Sequence, residues 1–308
     1  MDEHSNIDLS VNLGSLRFAN PVIAASGTFG YGLEFSQFVD LNELGGFCTK
    51  GLSMKPRTGN PLPRMIETSS GMLNAIGLEN IGLDNFLKEK LPNLEKYKSC
   101  LIVNFFGDTN TEYVEMASAL SDVNRVDALE MNVSCPNVEK GGIQLSSDPD
   151  ILQRVVEAVR KVTSKFLIIK LSPNVTDITK LALAAEKGGA DALSLINTHI
   201  GMKIDIGSGK PWLANVTGGL SGPAIKPMAL AMVHKTVRAV KIPVIGIGGI
   251  SSVEDALEFL MAGAKAIQIG TANFIDPSVT MKVVNGLHDY CQMNNLKSLE
   301  SLSPSEWE

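Results

Sequence analysis

Cysteine is scarce in this chain: four residues, Cys48, Cys100, Cys135 and Cys291, far apart and with no CxxC pair. A zinc site or an iron–sulfur cluster needs several thiolates or imidazoles at close spacing, so the sequence predicts no metal bound by this chain. The same scarcity suits a reducing cytosol and argues against a disulfide scaffold. Basic charge is in deficit as well. The net charge is −6 and the pI is near 5.4, the wrong sign for a nucleic-acid-binding surface. A local basic pocket for a small anion remains compatible with that balance. No apolar run approaches the ~20 residues needed to cross a bilayer, and Met1-Asp2-Glu3-His4-Ser5-Asn6 is too polar and acidic for a signal peptide. A soluble, cytoplasmic protein is expected, with no membrane and no nucleic-acid partner. No Pro/Ser-rich linker or low-complexity tract divides the chain, so residues 1–308 read as a single domain with a disordered tail at 301–308.

What the chain does have is core material: 44% hydrophobic residues against 19% charged. Short apolar runs stand at 22–25, 46–49, 101–105, 128–132, 166–171, 192–196, 244–247 and 266–269. They are continuous, not alternating, which indicates strands buried on both faces and hence a parallel sheet. Helical spacing falls between most of them, as in Ile151, Val155, Val156 and Val159, or Leu181, Ala184 and Ala185, or Val253, Ala256, Leu257 and Leu260. Eight βα units predict an α/β fold of the closed (β/α)8 TIM-barrel type. A doubly wound open sheet is the rival, but no GxGxxG turn follows the first strand. Leu9 to Leu13 and Leu16 to Phe18, joined at Gly14-Ser15, read as an N-terminal β-hairpin. Two connections, 51–83 and 197–225, are too long for simple βα loops. Both follow strand ends, so they are insertions at the C-terminal face of the strands, where barrels build their sites.

The polar residues at those strand ends form an ordered set: Ser26, Lys50, Asn104, Asn132, Lys170 and Asn197-Thr198. Any one of them could simply exit a strand into solvent; together they predict one pocket. Gly246-Ile247-Gly248-Gly249 and Ile269-Gly270-Thr271 end the last two strands, where backbone N–H groups can approach a phosphate without a Cβ in the way. Gly222 adds a candidate donor. Lys170 emerges from the apolar run Ile168-Ile169-Lys170-Leu171, and a buried ammonium needs an anionic partner. Glu130, one strand earlier, is the structural candidate; a group that becomes negative during turnover, such as the N1–O2 edge of a reduced flavin, is the functional one. Lys50 poses the same question, and with no acidic residue at comparable strand ends the two lysines point to an anionic ligand. Asn74 is a ligand candidate, whereas Asn80 reads as the N-cap of a helix beginning near Leu83.

Cys135 stands in Asn132-Val133-Ser134-Cys135-Pro136-Asn137, just past a strand end. Most free cysteines are small buried hydrophobes, and Cys48, Cys100 and Cys291 are read that way. Cys135 lies in a turn between two asparagines, followed by the lid-like Glu139-Lys140-Gly141-Gly142. No histidine is near enough in sequence to activate it; His199 is the one histidine at a predicted strand end. With an ordinary thiol pKa of ~8.5, a small thiolate fraction can still serve as general base.

These motifs resemble the dihydroorotate dehydrogenases: Ser26-Gly27-Thr28-Phe29-Gly30, Thr49-Lys50-Gly51, Asn74 to Asn80, Asn132 to Asn137, Ile169 to Asn174 and Thr217 to Pro227. A cysteine at the base position is similar to the soluble class 1 enzymes. Asn137-Val138-Glu139-Lys140-Gly141-Gly142 and Gly201-Met202-Lys203-Ile204-Asp205-Ile206 resemble the NAD-dependent 1B catalytic subunit. The resemblance implies one FMN per chain, and a partner subunit with FAD and a [2Fe–2S] cluster that passes electrons to NAD⁺. It also implies a homodimer of catalytic chains within a heterotetramer of two catalytic and two electron-transfer chains. By the same resemblance Cys135 is the catalytic base. Ser26, Lys50, Gly51, Asn104, Asn132, Lys170, Ile196, Gly222, Gly248, Gly249, Gly270 and Thr271 would bind FMN. Lys50, Asn74, Ala75, Ile76, Gly77, Leu78, Asn132, Asn197 and Thr198 would bind dihydroorotate or orotate. The rivals are a fumarate-dependent class 1A enzyme, a flavin-dependent tRNA-dihydrouridine synthase-like barrel, and a non-catalytic flavin-binding protein.

Overall fold

The computed structural model describes residues 7–134 and 145–302. Eight parallel strands close into a barrel: β1 (Val22–Ala24), β2 (Gly46–Cys48), β3 (Cys100–Phe105), β4 (Ala128–Asn132), β5 (Phe166–Lys170), β6 (Ala192–Leu195), β7 (Val244–Ile247) and β8 (Ala266–Ile269). Each pairs in parallel with the next, and β8 pairs with β1 through Ile267↔Val22 and Gln268↔Ile23. Every apolar run read from the sequence is one of these strands. An open doubly wound sheet is thereby excluded.

Side chains alternate along a strand with period two, and this builds the interior in layers. Ile23, Cys48, Ile102, Ala128, Ile168, Ala192, Ile245 and Ala266, one from each strand, form an apolar layer. Below it sit Leu13 and Phe18 of the predicted hairpin, Val11–Leu13 paired with Leu16–Phe18, which closes that end of the barrel. Two residues further along each strand the period reaches Ala25, Lys50, Asn104, Glu130, Lys170, Ser194, Ile247 and Gln268. Five of these are buried polar side chains: Asn104, Glu130, Lys170, Ser194 and Gln268. A polar floor at the C-terminal end of the barrel therefore follows from strand register.

The outer helices obey their apolar spacing. In Pro149–Arg160, Leu152, Val155, Val156 and Val159 are buried, Leu152 taking the central place expected for the partly buried Ile151. Each such side chain contributes about 1.5–3 kcal/mol on leaving water. Val253–Met261 buries Ala256, Leu257, Phe259 and Leu260 and opens on a capping box between Ser252 and Asp255. Ser252→Ala is expected to cost about 1 kcal/mol of stability, read as a lower midpoint in chemical denaturation. The first βα connection departs from the expected pattern: it carries only 3₁₀ turns, Leu33–Phe35 and Leu41–Glu43, before β2. Leu299–Ser301 forms a 3₁₀ turn closed by Leu302 N–H on the Leu299 carbonyl, and 303–308 lie outside the described residues.

The two long insertions meet above the mouth. His199–Gly201, Gly218–Ser221, Gly71–Asn74 and Met65–Thr68 form a four-stranded antiparallel sheet, in that order. Gly219↔Asn74 and Leu220↔Leu73 join the two insertions directly. Among the described residues no helix is long and apolar enough to cross a membrane.

Candidate active site

A cavity of about 1380 Å³ opens at the C-terminal ends of the strands. Ser26, Lys50, Gly51, Asn104, Asn132, Lys170, Ile196, Asn197, Thr198, Gly248, Gly249, Gly270 and Thr271 reach it from the strand ends. Asn74, Ala75, Ile76, Gly77 and Leu78 line it from the first insertion, and Gly222 from the second. Every residue expected at the site therefore borders one cavity, apart from Cys135. Cys135 and the lid-like 139–142 lie outside the described residues; Ser134 and Ser146 both line the cavity.

Backbone geometry shapes one wall. Gly222 and Gly249 have φ of +92° and +74°, in the left-handed region that favours glycine. A Cβ on Gly249 would come within 2.9 Å of the Gly222 carbonyl oxygen, so the two turns pack backbone to backbone. Thr271 donates its hydroxyl to Ser221 Oγ at 2.8 Å, tying the turn after β8 to the second insertion.

The carboxamides are already oriented. Asn197 Nδ2 donates to Asn132 Oδ1 at 3.2 Å, and that oxygen also accepts the Ser134 N–H at 3.1 Å. Tyr113 OH donates to the Asn132 carbonyl at 2.8 Å. Asn197 Oδ1 accepts the Thr198 N–H at 2.8 Å, while Asn174 Nδ2 donates to the Thr198 carbonyl at 2.9 Å. Asn74 Nδ2 reaches the Gly219 carbonyl at 3.4 Å across the mouth sheet. Asn174 has the same signal as the other strand-end amides, four residues beyond Lys170 in a motif already singled out.

Both lysines line the cavity, and although no acidic residue stands at a comparable strand end, each has a carboxylate beside it. Lys170 Nζ stands 3.5 Å from Glu130 Oε1, with both side chains nearly or fully buried, so the structural partner is real. Lys50 Nζ lies 4.0 Å from Glu79 Oε2, and Glu79 also pairs with Arg64. Glu79 and Arg64 come from the first insertion, where charged residues in a loop look like ordinary solvated surface. Burial pushes the Glu130 carboxyl up, but the Lys170 ammonium and hydrogen bonds from Gln268, Asn104 and Ser194 outweigh it and hold the group below the usual carboxylate range.

Asn80 is structural, though not as the expected N-cap. Gly82 occupies that position before Leu83–Asn85. The Asn80 side-chain Oδ1 accepts from Gly82 and Ser53 N–H, and its Nδ2 donates to Ser53 Oγ and the Leu78 carbonyl. It thus braces the turn carrying Ile76 to Leu78. Cys48, Cys100 and Cys291 are free and buried, and burial pushes their thiols up. His199 sits in the mouth sheet opposite Leu220, its imidazole lowered by burial. Among the described residues no cluster of three or more His, Cys, Asp or Glu could hold a metal ion.

The cavity's donors match a flavin mononucleotide in kind. Glycine turns after β7 and β8 suit a phosphate, while hydroxyls, carboxamides and two ammonium groups suit ribityl oxygens and ring heteroatoms.

A family model described as Dihydroorotate dehydrogenase matches residues 8–291. A Trichlorobacter lovleyi protein named dihydroorotate dehydrogenase B (NAD(+)), catalytic subunit, is 56% identical over 96% of this chain and 97% of its own. Proteins of the same name from Geobacter sulfurreducens and Parabacteroides distasonis are 54% and 52% identical over the same shares. The crystal structure of Eimeria tenella DHODH in complex with ferulenol shares the fold, with a TM-score of 0.78 at 22% identity, over 97% of this chain and 89% of that one. With its closed barrel, its mouth cavity and a family match over most of its length, this chain belongs to the dihydroorotate dehydrogenase family.

Proposed function

We propose that the chain is the catalytic subunit of a class 1B, NAD⁺-linked dihydroorotate dehydrogenase, oxidising (S)-dihydroorotate to orotate in pyrimidine (UMP) synthesis. The observation that carries this reading is the convergence of strand-end and insertion residues on one cavity. When bound, FMN supplies the hydride acceptor. The residues that would hold it are Ser26, Gly51, Asn104, Lys170, Ile196, Gly222, Gly248, Gly249, Gly270 and Thr271.

Oxidation takes a proton from C5 of dihydroorotate and a hydride from C6. Cys135 accepts the C5 proton at Sγ. Asn74, Asn132, Asn197 and Thr198 hold the pyrimidine ring, whose imide and amide edges need both donors and acceptors. Lys50 binds the substrate carboxylate, and Lys170 would hold the flavin with an ammonium suited to negative charge. The backbone of Ala75 to Leu78 closes one side. A partner subunit carrying FAD and a [2Fe–2S] cluster would take the electrons on to NAD⁺, in a heterotetramer built on a homodimer of catalytic chains. The assembly works in the cytoplasm.

The purified chain, loaded with FMN, is expected to oxidise dihydroorotate with an artificial acceptor. NAD⁺ reduction should require the added electron-transfer subunit. Turnover supported by fumarate with the chain alone would point to the class 1A reading; no oxidation with any acceptor would overturn the assignment.

A further inference from the structure

Among the described residues Glu130 is the only acidic side chain that is fully buried, and it takes no direct part in the mechanism above. Its two oxygens face different groups. Oε2 accepts from Ser194 Oγ at 2.9 Å and Gln268 Nε2 at 2.7 Å, from β6 and β8. Neither of those residues lines the cavity. Oε1 accepts from Asn104 Nδ2 at 2.7 Å and stands 3.5 Å from Lys170 Nζ, on β3 and β5. Both of those do line it.

We propose that Glu130 is a positioning residue for the flavin site: anchored to the barrel wall through Oε2, it fixes Asn104 and Lys170 at the cavity floor through Oε1. The inference rests on the flavin reading above. A lysine side chain carries ample rotamer freedom. Held by a carboxylate that is itself held by two other strands, its ammonium is oriented before any ligand arrives. Glu130 also supplies the counter-charge, so the floor presents a cation without leaving an uncompensated charge in the barrel. A device meant only for folding would have no need to direct one oxygen at two cavity-lining groups.

A double-mutant cycle separates the two roles. Glu130→Gln, Lys170→Gln and the double variant are compared by the FMN dissociation constant of the apoprotein, from fluorescence quenching, and by the midpoint potential of the bound flavin. Glu130→Gln is expected to weaken FMN about tenfold beside Lys170 and at most about threefold beside Gln at position 170. The potential should shift in the first background and move much less in the second. Equal changes in both backgrounds would overturn the proposal and leave Glu130 a folding residue. Should Glu130→Gln fail to fold, Glu130→Asp takes its place, because its shorter arm withdraws from Lys170 while keeping the charge; the same inequality is expected and the same equality refutes. Failure of the unmutated chain to take up FMN would instead strike the functional reading, a different result from FMN binding without coupling.

Discussion

Replacing Cys135 with alanine is expected to slow dihydroorotate oxidation by about 10²–10⁴-fold, the range a positioned acid or base contributes. FMN should stay bound, and orotate should still perturb the flavin absorbance, because no FMN-holding role is assigned to the thiol. This pairing of results distinguishes loss of a base from loss of a site. Steady-state turnover with an artificial acceptor provides the first measurement and difference spectroscopy the second; unchanged turnover would remove Cys135 from the mechanism. The pH profile is a companion test. With an ordinary thiol value of ~8.5, the competent thiolate fraction grows as pH rises from neutrality, so the rate of proton abstraction should climb through that range. A flat single-turnover rate between neutral and alkaline pH would speak against a thiolate base.

Gly249→Val is the second large effect expected. The residue sits at φ +74°, and a Cβ there would come within 2.8 Å of Lys226 Cβ and 2.9 Å of the Gly222 oxygen. Valine cannot relieve both contacts by rotating, since they involve its first side-chain atom, and a β-branched residue is itself strained at positive φ. Backbone strain of this kind costs about 1–3 kcal/mol. The turn must move away from Gly222, separating two walls of the proposed phosphate cradle. If that cost falls on the bound state, FMN affinity of the apoprotein drops about 5- to 150-fold. Fluorescence quenching measures it, and affinity within twofold of the parent chain would remove this turn from the FMN site.

The strand ends were readable before folding because the alternation of apolar runs and helical spacings is local. Once eight runs imply a closed barrel, residues at or just past their ends, such as Lys50, Asn132 and Asn197, must meet. The lysines show the limit of that logic. Lys170 was visible as a charge in an apolar run, and Glu130 carries the same mark within Ala128-Leu129-Glu130-Met131. Their pairing, however, depends on register: Asn132 aligns with Lys170, placing Glu130 opposite Ile168, so the carboxylate reaches Lys170 as its diagonal neighbour on the adjacent strand. Glu79 could not be assigned at all, because loop charges have no period. Its approach to Lys50 follows from how the first insertion folds back over the mouth. Asn80 failed as an N-cap for a related reason, since its amide serves a turn through Ser53, 27 residues away.

Sequence alone determined the barrel, the hairpin beneath it, the insertions and the strand-end residues that border the cavity, because each rests on short-range periodicity or on a residue's distance from a strand end. Tertiary structure decided which charges neutralise one another, which asparagines brace turns, and how two distant insertions join in one sheet above the mouth. Those are contacts between segments tens to more than a hundred residues apart, and their energies depend on distance and burial that no local pattern encodes.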